Sequence, residues 1–120
     1  MPYISRDDDR REKLRNGEPA LIAGELNYQI FYYAKHCIIS ESRNRIKLEK
    51  NIKKFIKQFL GKNPNYQKYN DMTGVGIRCY KEIQRRIGIS LKMLLDIVYS
   101  YDDEIAQYED KKIIDNGDVE

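Results

Sequence analysis

Arg45-Ile46-Lys47-Leu48-Glu49-Lys50-Asn51-Ile52-Lys53-Lys54-Phe55-Ile56-Lys57-Gln58-Phe59-Leu60 is the stretch whose periodicity decides the fold. Leu48, Ile52, Phe55, Ile56, Phe59 and Leu60 recur at helical spacing and share one face. Lys47, Lys50, Lys53, Lys54 and Lys57 fill the other faces. A half-buried strand would alternate with a period of two, and this segment does not. The polar break Ser40 to Asn44 precedes it. Gly61 stops it, and Asn63-Pro64-Asn65 makes a loop.

The same period extends outward in both directions. Leu26, Ile30, Tyr33, Ala34, Cys37 and Ile38 predict an amphipathic helix from about Glu25 to Ser40. Ser5 and Asp8 form a capping-box-like start for a polar N-terminal helix within residues 1–17 that ends at Asn16-Gly17. Its one clear apolar residue is Leu14, which suggests surface or interface material prone to fraying. A fourth helix is expected from Asn70 or Asp71, with Met72, Val75, Cys79, Tyr80, Ile83 and Ile87 on one face. Gly74 and Gly76 then fall in its first turns, where they serve either close helix packing or backbone approach to a ligand. Gly88 ends it. Ser90 is expected to cap a fifth helix, with Leu91, Leu94, Leu95, Val98 and Ile105 inward, reaching toward Ile114. Residues 115–120 form an acidic tail. The expectation is one all-α domain over 1–120, a compact bundle of four to five helices.

Ten Tyr, three Phe and no Trp in 120 residues give a core whose large residues mostly carry a hydroxyl. Each buried Tyr needs a hydrogen-bond partner. Tyr also favours protein–protein contact, which points toward a homo-oligomer. Cys37 and Cys79 fall on apolar helical positions and are expected as free thiols in a reducing cytoplasm. The opening residues lack an apolar core segment, so no signal peptide is expected. No run approaches the roughly 18 apolar residues of a membrane span.

A formal net charge of +3 conceals a polarity along the chain. Glu41 to Lys68 holds nine Lys and Arg against two acids, and Asp102 to Glu120 holds eight acids against two Lys. The two blocks can pair within the chain, pair between subunits, or leave the basic face open to an anion.

Arg78, Lys81, Arg85 and Arg86 are the strongest chemical candidates, because guanidiniums in a row hold phosphate bidentately. The competing expectation is pairing with Asp102, Asp103 or Glu109. The lysine face of Arg45 to Leu60 could meet nucleic acid. Its aromatics Phe55 and Phe59 lie on the apolar stripe, however, so a base-stacking platform is missing. Tyr66 and Tyr69 near Lys62 and Lys68 are the one place where aromatic and basic residues interleave. His36 and Cys37 are adjacent on a helix and point apart, which excludes a dyad. Gly74-Val75-Gly76 lacks the remainder of a phosphate loop. The C-terminal acids lack the spacing of a calcium loop. No enzyme activity, metal or cofactor is expected.

Met1-Pro2-Tyr3-Ile4, Gly24-Glu25-Leu26-Asn27-Tyr28, Glu82-Ile83-Gln84-Arg85-Arg86 and the ending Tyr108 to Val119 resemble a family of small uncharacterised bacterial and phage proteins. Gly88 to Ala106 is an insertion relative to that pattern, and Ser40 to Asn65 is longer and more basic. The resemblance implies a phage or mobile-element setting, in the host cytoplasm if phage-encoded, and a non-enzymatic role. The expected function is an accessory protein that sequesters an anionic small ligand, such as a nucleotide signal, in counter-defence. Arg78, Arg85 and Arg86 would meet phosphate, while Tyr28 or Tyr108 stacks on a base. The alternatives are an inhibitor or adaptor that binds a host protein and, third, a nucleic-acid-binding regulator.

Overall fold

Six apolar side chains at helical spacing cannot leave water unless their segment coils into a helix and finds a partner face. Arg45–Leu60 does both. Asn44 Oδ1 accepts from the Lys47 N–H at 3.0 Å and caps its start. Gly61, with φ +73°, donates to the Lys57 carbonyl and closes its end. All six stripe residues are buried, at roughly 1.5–3 kcal/mol for each fully buried side chain.

In this computed structural model, residues 8–39 and 44–107 are described. They form α1 (Asp8–Arg15), α2 (Ala23–Ile39), α3 (Arg45–Leu60), α4 (Tyr66–Ile87) and α5 (Lys92–Tyr99), with a further helical stretch over 102–107. No strand occurs among the described residues. The fold is all-α. Helix α2 packs against α1, α3 and α4, and α4 also packs against α5. The buried apolar side chains of all five helices form one core. The Ser5 cap, Tyr108 and the C-terminal box with its acidic tail lie outside the described residues.

Three details differ from the sequence expectation. Helix α4 starts at Tyr66, not at Asn70 or Asp71, because Asn65 Oδ1 caps it by accepting from Lys68 N–H at 2.8 Å. The second Asn of the loop is therefore an N-cap. This adds a turn that buries Tyr69, whose hydroxyl donates to Glu104 Oε2 at 2.8 Å. Gly74 and Gly76 then sit mid-helix and have different roles. A methyl group on Gly76 would overlap Val98 Cγ2 of α5, whereas one on Gly74 would meet open space.

Helix α5 is shorter than expected, and Ser90 does not cap it. The Ser90 hydroxyl pairs with the Tyr80 hydroxyl at 3.2 Å, and Leu91 occupies the cap position without a side-chain bond. Ser100 turns its own hydroxyl onto the Ile97 carbonyl, a local bond that competes with helix continuation. The inward stripe becomes Leu91, Leu94, Ile97 and Val98, with Leu95 half-exposed.

Helix α1 is polar, as expected, yet it is pinned. Leu14 is fully buried. The buried Gln29 side chain donates from Nε2 to the Leu14 and Glu18 carbonyls, each at 2.8 Å. The Tyr33 hydroxyl donates to the Arg15 carbonyl at 2.6 Å. These bonds bring side-chain donors to the last carbonyls of α1 and to the turn that follows it. Arg10 closes the other side through a two-pronged bond to Glu25, both arms at 2.7 Å. Gly17, with φ +92°, makes the expected left-handed stop.

Candidate anion-binding cleft

The basic residues of α4 do not act together. Arg85 Nη2 lies 2.8 Å from Glu82 Oε2, and Arg86 Nε lies 3.1 Å from the same oxygen. These arginines meet an acid of their own helix rather than Asp102 or Asp103; Glu109 is outside the described residues. The Arg85 side chain is 66% exposed and points into water. Arg78 is exposed and lines a different, shallow groove with Asn70, Asp71 and Gly74. Of the arginine candidates, Arg86 alone joins Tyr28 around one hollow. Glu82 is held below its ordinary carboxylate range, first by the bond from Arg85 and also by the charges of Arg86 and Arg78.

That hollow is a cleft of about 260 Å³ between α1, α2 and α4, lined by Arg11, Asn27, Tyr28, Phe31, Tyr32, Lys35 and Arg86. Its floor is the outer stripe of α2, since Tyr28, Phe31, Tyr32 and Lys35 recur at three, four and seven residues. Helix α1 brings Arg11 to one flank, and α4 brings Arg86 to the other. Arg11 Cζ stands 5.3 Å from the centre of the Tyr28 ring, and Arg86 Cζ stands 5.7 Å from that of Phe31. Each cation rests on an aromatic face, an attraction of about 0.5–2 kcal/mol. Arg15 adds a bond from Nη1 to the Tyr28 hydroxyl at 3.0 Å and lies 5.8 Å from the Tyr32 ring centre.

Among the described residues, three cations line this cleft and no carboxylate, thiol or imidazole does. Arg11 Nε and Nη2 are buried and have no hydrogen-bond partner among the described residues. Buried charged donors left unpaired are costly, so such a pair calls for an acceptor. Nε and Nη2 form one edge of the guanidinium fork, the edge that matches two oxygens of a carboxylate or phosphate.

Tyr28 takes a different role from the expected one. Its ring is flanked by Arg11 and by Tyr32, whose centre lies 6.1 Å away at 28°. One of its faces carries the Arg11 cation. Arg11, Phe31, Tyr32 and Lys35 were not singled out from the sequence. The stripe of α2 is legible there, but the approach of Arg11 is a tertiary event.

The chemistry elsewhere is structural. Cys37 and Cys79 are free. Burial pushes the Cys79 thiol up to about 12, so it stays protonated and unreactive. His36 is exposed, with its ring 4.2 Å from that of Tyr32. Within the basic and aromatic group of Lys62 to Tyr69, Lys68 is engaged: its ammonium sits 4.2 Å from the Phe59 ring centre and donates to the Leu21 carbonyl. Among the described residues, no group of three or more His, Cys, Asp or Glu could hold a metal ion, and no helix is long and apolar enough to cross a membrane.

Fold and cleft together define an all-α protein with a cation-lined, aromatic-floored hollow. No family model, curated protein or solved structure matches the chain.

Proposed function

We propose that this chain is a non-catalytic binding protein that holds an anionic small ligand, such as a nucleotide, in the α1–α2–α4 cleft. The observation that carries this reading is the buried Nε–Nη2 edge of Arg11, which has no hydrogen-bond partner among the described residues and stands at a cleft whose described lining holds Lys35 and Arg86 and no acid. At about 260 Å³ the cleft is small against the roughly 300–1,000 Å³ of small-ligand sites, which suits part of a ligand rather than a whole dinucleotide. Sequestering such a ligand suits a phage-type accessory protein acting against a host signal, the setting that the family resemblance implies.

A thermal-shift screen with inorganic phosphate and nucleotides tests the reading. A ligand at 100 times its dissociation constant stabilises the fold by about 2.7 kcal/mol. Stabilisation by at least one anion, lost in Arg11→Ala, is expected. No shift with any anion contradicts it.

A second reading concerns α3. Lys47, Lys50, Lys53, Lys54 and Lys57 are exposed on it, and Glu49 pairs with Lys53 at 3.3 Å. This face suits an acidic surface of a host protein better than nucleic acid, because Phe55 and Phe59 are buried and cannot stack on bases. Leu21, Ile22, Ile39, Ile46 and Tyr99 are exposed and would carry any self-association. Light scattering at increasing concentration tests that part.

A further inference from the structure

The cleft also indicates which end of a ligand it reads, an inference that rests on the anion-binding reading and narrows it. Each aromatic ring of its floor already carries a group of the protein's own. Arg11 lies over Tyr28, Arg86 lies over Phe31, and Tyr32 has Arg15 at 5.8 Å and His36 at 4.2 Å from its ring centre. On the Tyr28 and Phe31 faces that these guanidiniums cover, a nucleobase would have to displace a cation before it could stack. An oxyanion would instead meet donors, because the Arg11 Nε–Nη2 edge has no partner among the described residues and Lys35 is exposed at the lining.

We infer that the cleft binds a terminal phosphomonoester, with the phosphate inside and the rest of the ligand outside the mouth. Charge supports this: Arg86 is already paired with Glu82, and the two other lining cations, Arg11 and Lys35, match a group carrying about −1.5 to −2 at neutral pH better than the single charge of a diester. Oxygen count points the same way. A monoester presents three terminal acceptor oxygens, so the Arg11 fork can take two and leave one for Lys35 or Arg86. A cyclic diester presents two. Volume is the third support, since about 260 Å³ accommodates a phosphate and its nearest carbons more readily than a purine nucleotide. Glu82 is the positioning residue for Arg86: it holds Nε from the α4 side while Phe31 lies against the guanidinium face.

Isothermal titration of the full chain at low salt tests this with adenosine 5′-monophosphate, ribose 5-phosphate, adenosine 3′,5′-cyclic monophosphate and adenosine. The two monoesters are expected to bind within a few-fold of each other, the cyclic diester at least about tenfold more weakly, and adenosine not measurably. Equal or tighter binding of the cyclic diester overturns the monoester assignment while leaving an anion site in place. Adenosine binding as tightly as its monophosphate overturns it in favour of base recognition. Failure of all three phosphates contradicts the anion reading itself. Arg11→Lys keeps the charge and removes the fork, so it should weaken the monoesters about tenfold or more; unchanged affinity overturns the bidentate contact. Lys35→Met, at an exposed position, is the second variant and should weaken both monoesters; no change there removes Lys35 from the site.

Discussion

Gln29 Nε2 stands 2.8 Å from the Leu14 carbonyl oxygen, a bond between two fully buried residues that ties the shortest polar helix to the core. The same amide nitrogen reaches Glu18 and so holds both the end of α1 and the turn that follows it. Arg11 is positioned by this tether, although Gln29 lines no part of the cleft. Gln29→Leu leaves the Glu18 carbonyl without its side-chain donor and the Leu14 carbonyl with the Gly17 N–H alone, and should cost about 1–3 kcal/mol of stability. Urea denaturation measures the loss. Ligand affinity should fall with it while the other helices keep their protection from hydrogen exchange.

Arg11 and Arg78 provide a matched pair for locating the site. Arg11→Ala should weaken anion binding by roughly tenfold or more, given about 1.5–3 kcal/mol for a hydrogen bond to a charged group. Arg78→Ala and Arg85→Ala should change it little, because neither residue lines the cleft. Titration calorimetry at two salt concentrations separates this contact from general attraction to a basic protein.

The two mid-helix glycines of α4 should respond oppositely to the same change. Gly74→Ala gains helix propensity in open space and should stabilise by about 0.5–1 kcal/mol. Gly76→Ala drives a methyl group into Val98 and should cost about 1–3 kcal/mol. Thermal melting of the two variants side by side checks both signs.

Acid should loosen the α1–α2 contact in a defined window. The bond from Arg10 is the main cause holding Glu25 below its ordinary value of 4.5, helped by the Leu21 N–H. A carboxylate with a lowered native value contributes stability that is present above the unfolded value and lost as pH falls through the native one. Wild-type stability should therefore drop faster below about pH 4.5 than that of Arg10→Met. Urea midpoints at stepped pH values measure the difference in slope.

The sequence made α3 legible to the residue, because its stripe, the polar break that ends at Asn44 and its Gly61 stop all agree. Helix α2 was legible from its apolar face, within two residues at its start and one at its end. The start of α4 was not, since Asn65 looks the same in a loop as at a cap until its side chain is seen accepting from Lys68. The docking of α1 was hidden too: polar tethers such as Gln29 to Leu14 leave no periodic trace. Of the candidate site residues, Tyr28 and Arg86 converge, whereas Arg78 and Arg85 diverge, because spacing along α4 does not reveal what its neighbours place opposite each residue. Arg11 escaped notice for the same reason: its importance lies in what α2 sets beneath it.

Backbone amide chemical-shift mapping during titration with adenosine 5′-monophosphate tests the cleft most directly. The account predicts saturable shifts confined to the surroundings of Arg11, Tyr28 to Lys35 and Arg86, and their loss in Arg11→Ala. Shifts centred on Gly74 and Arg78 or on the lysine face of α3, with the surroundings of Arg11 unmoved, would contradict it.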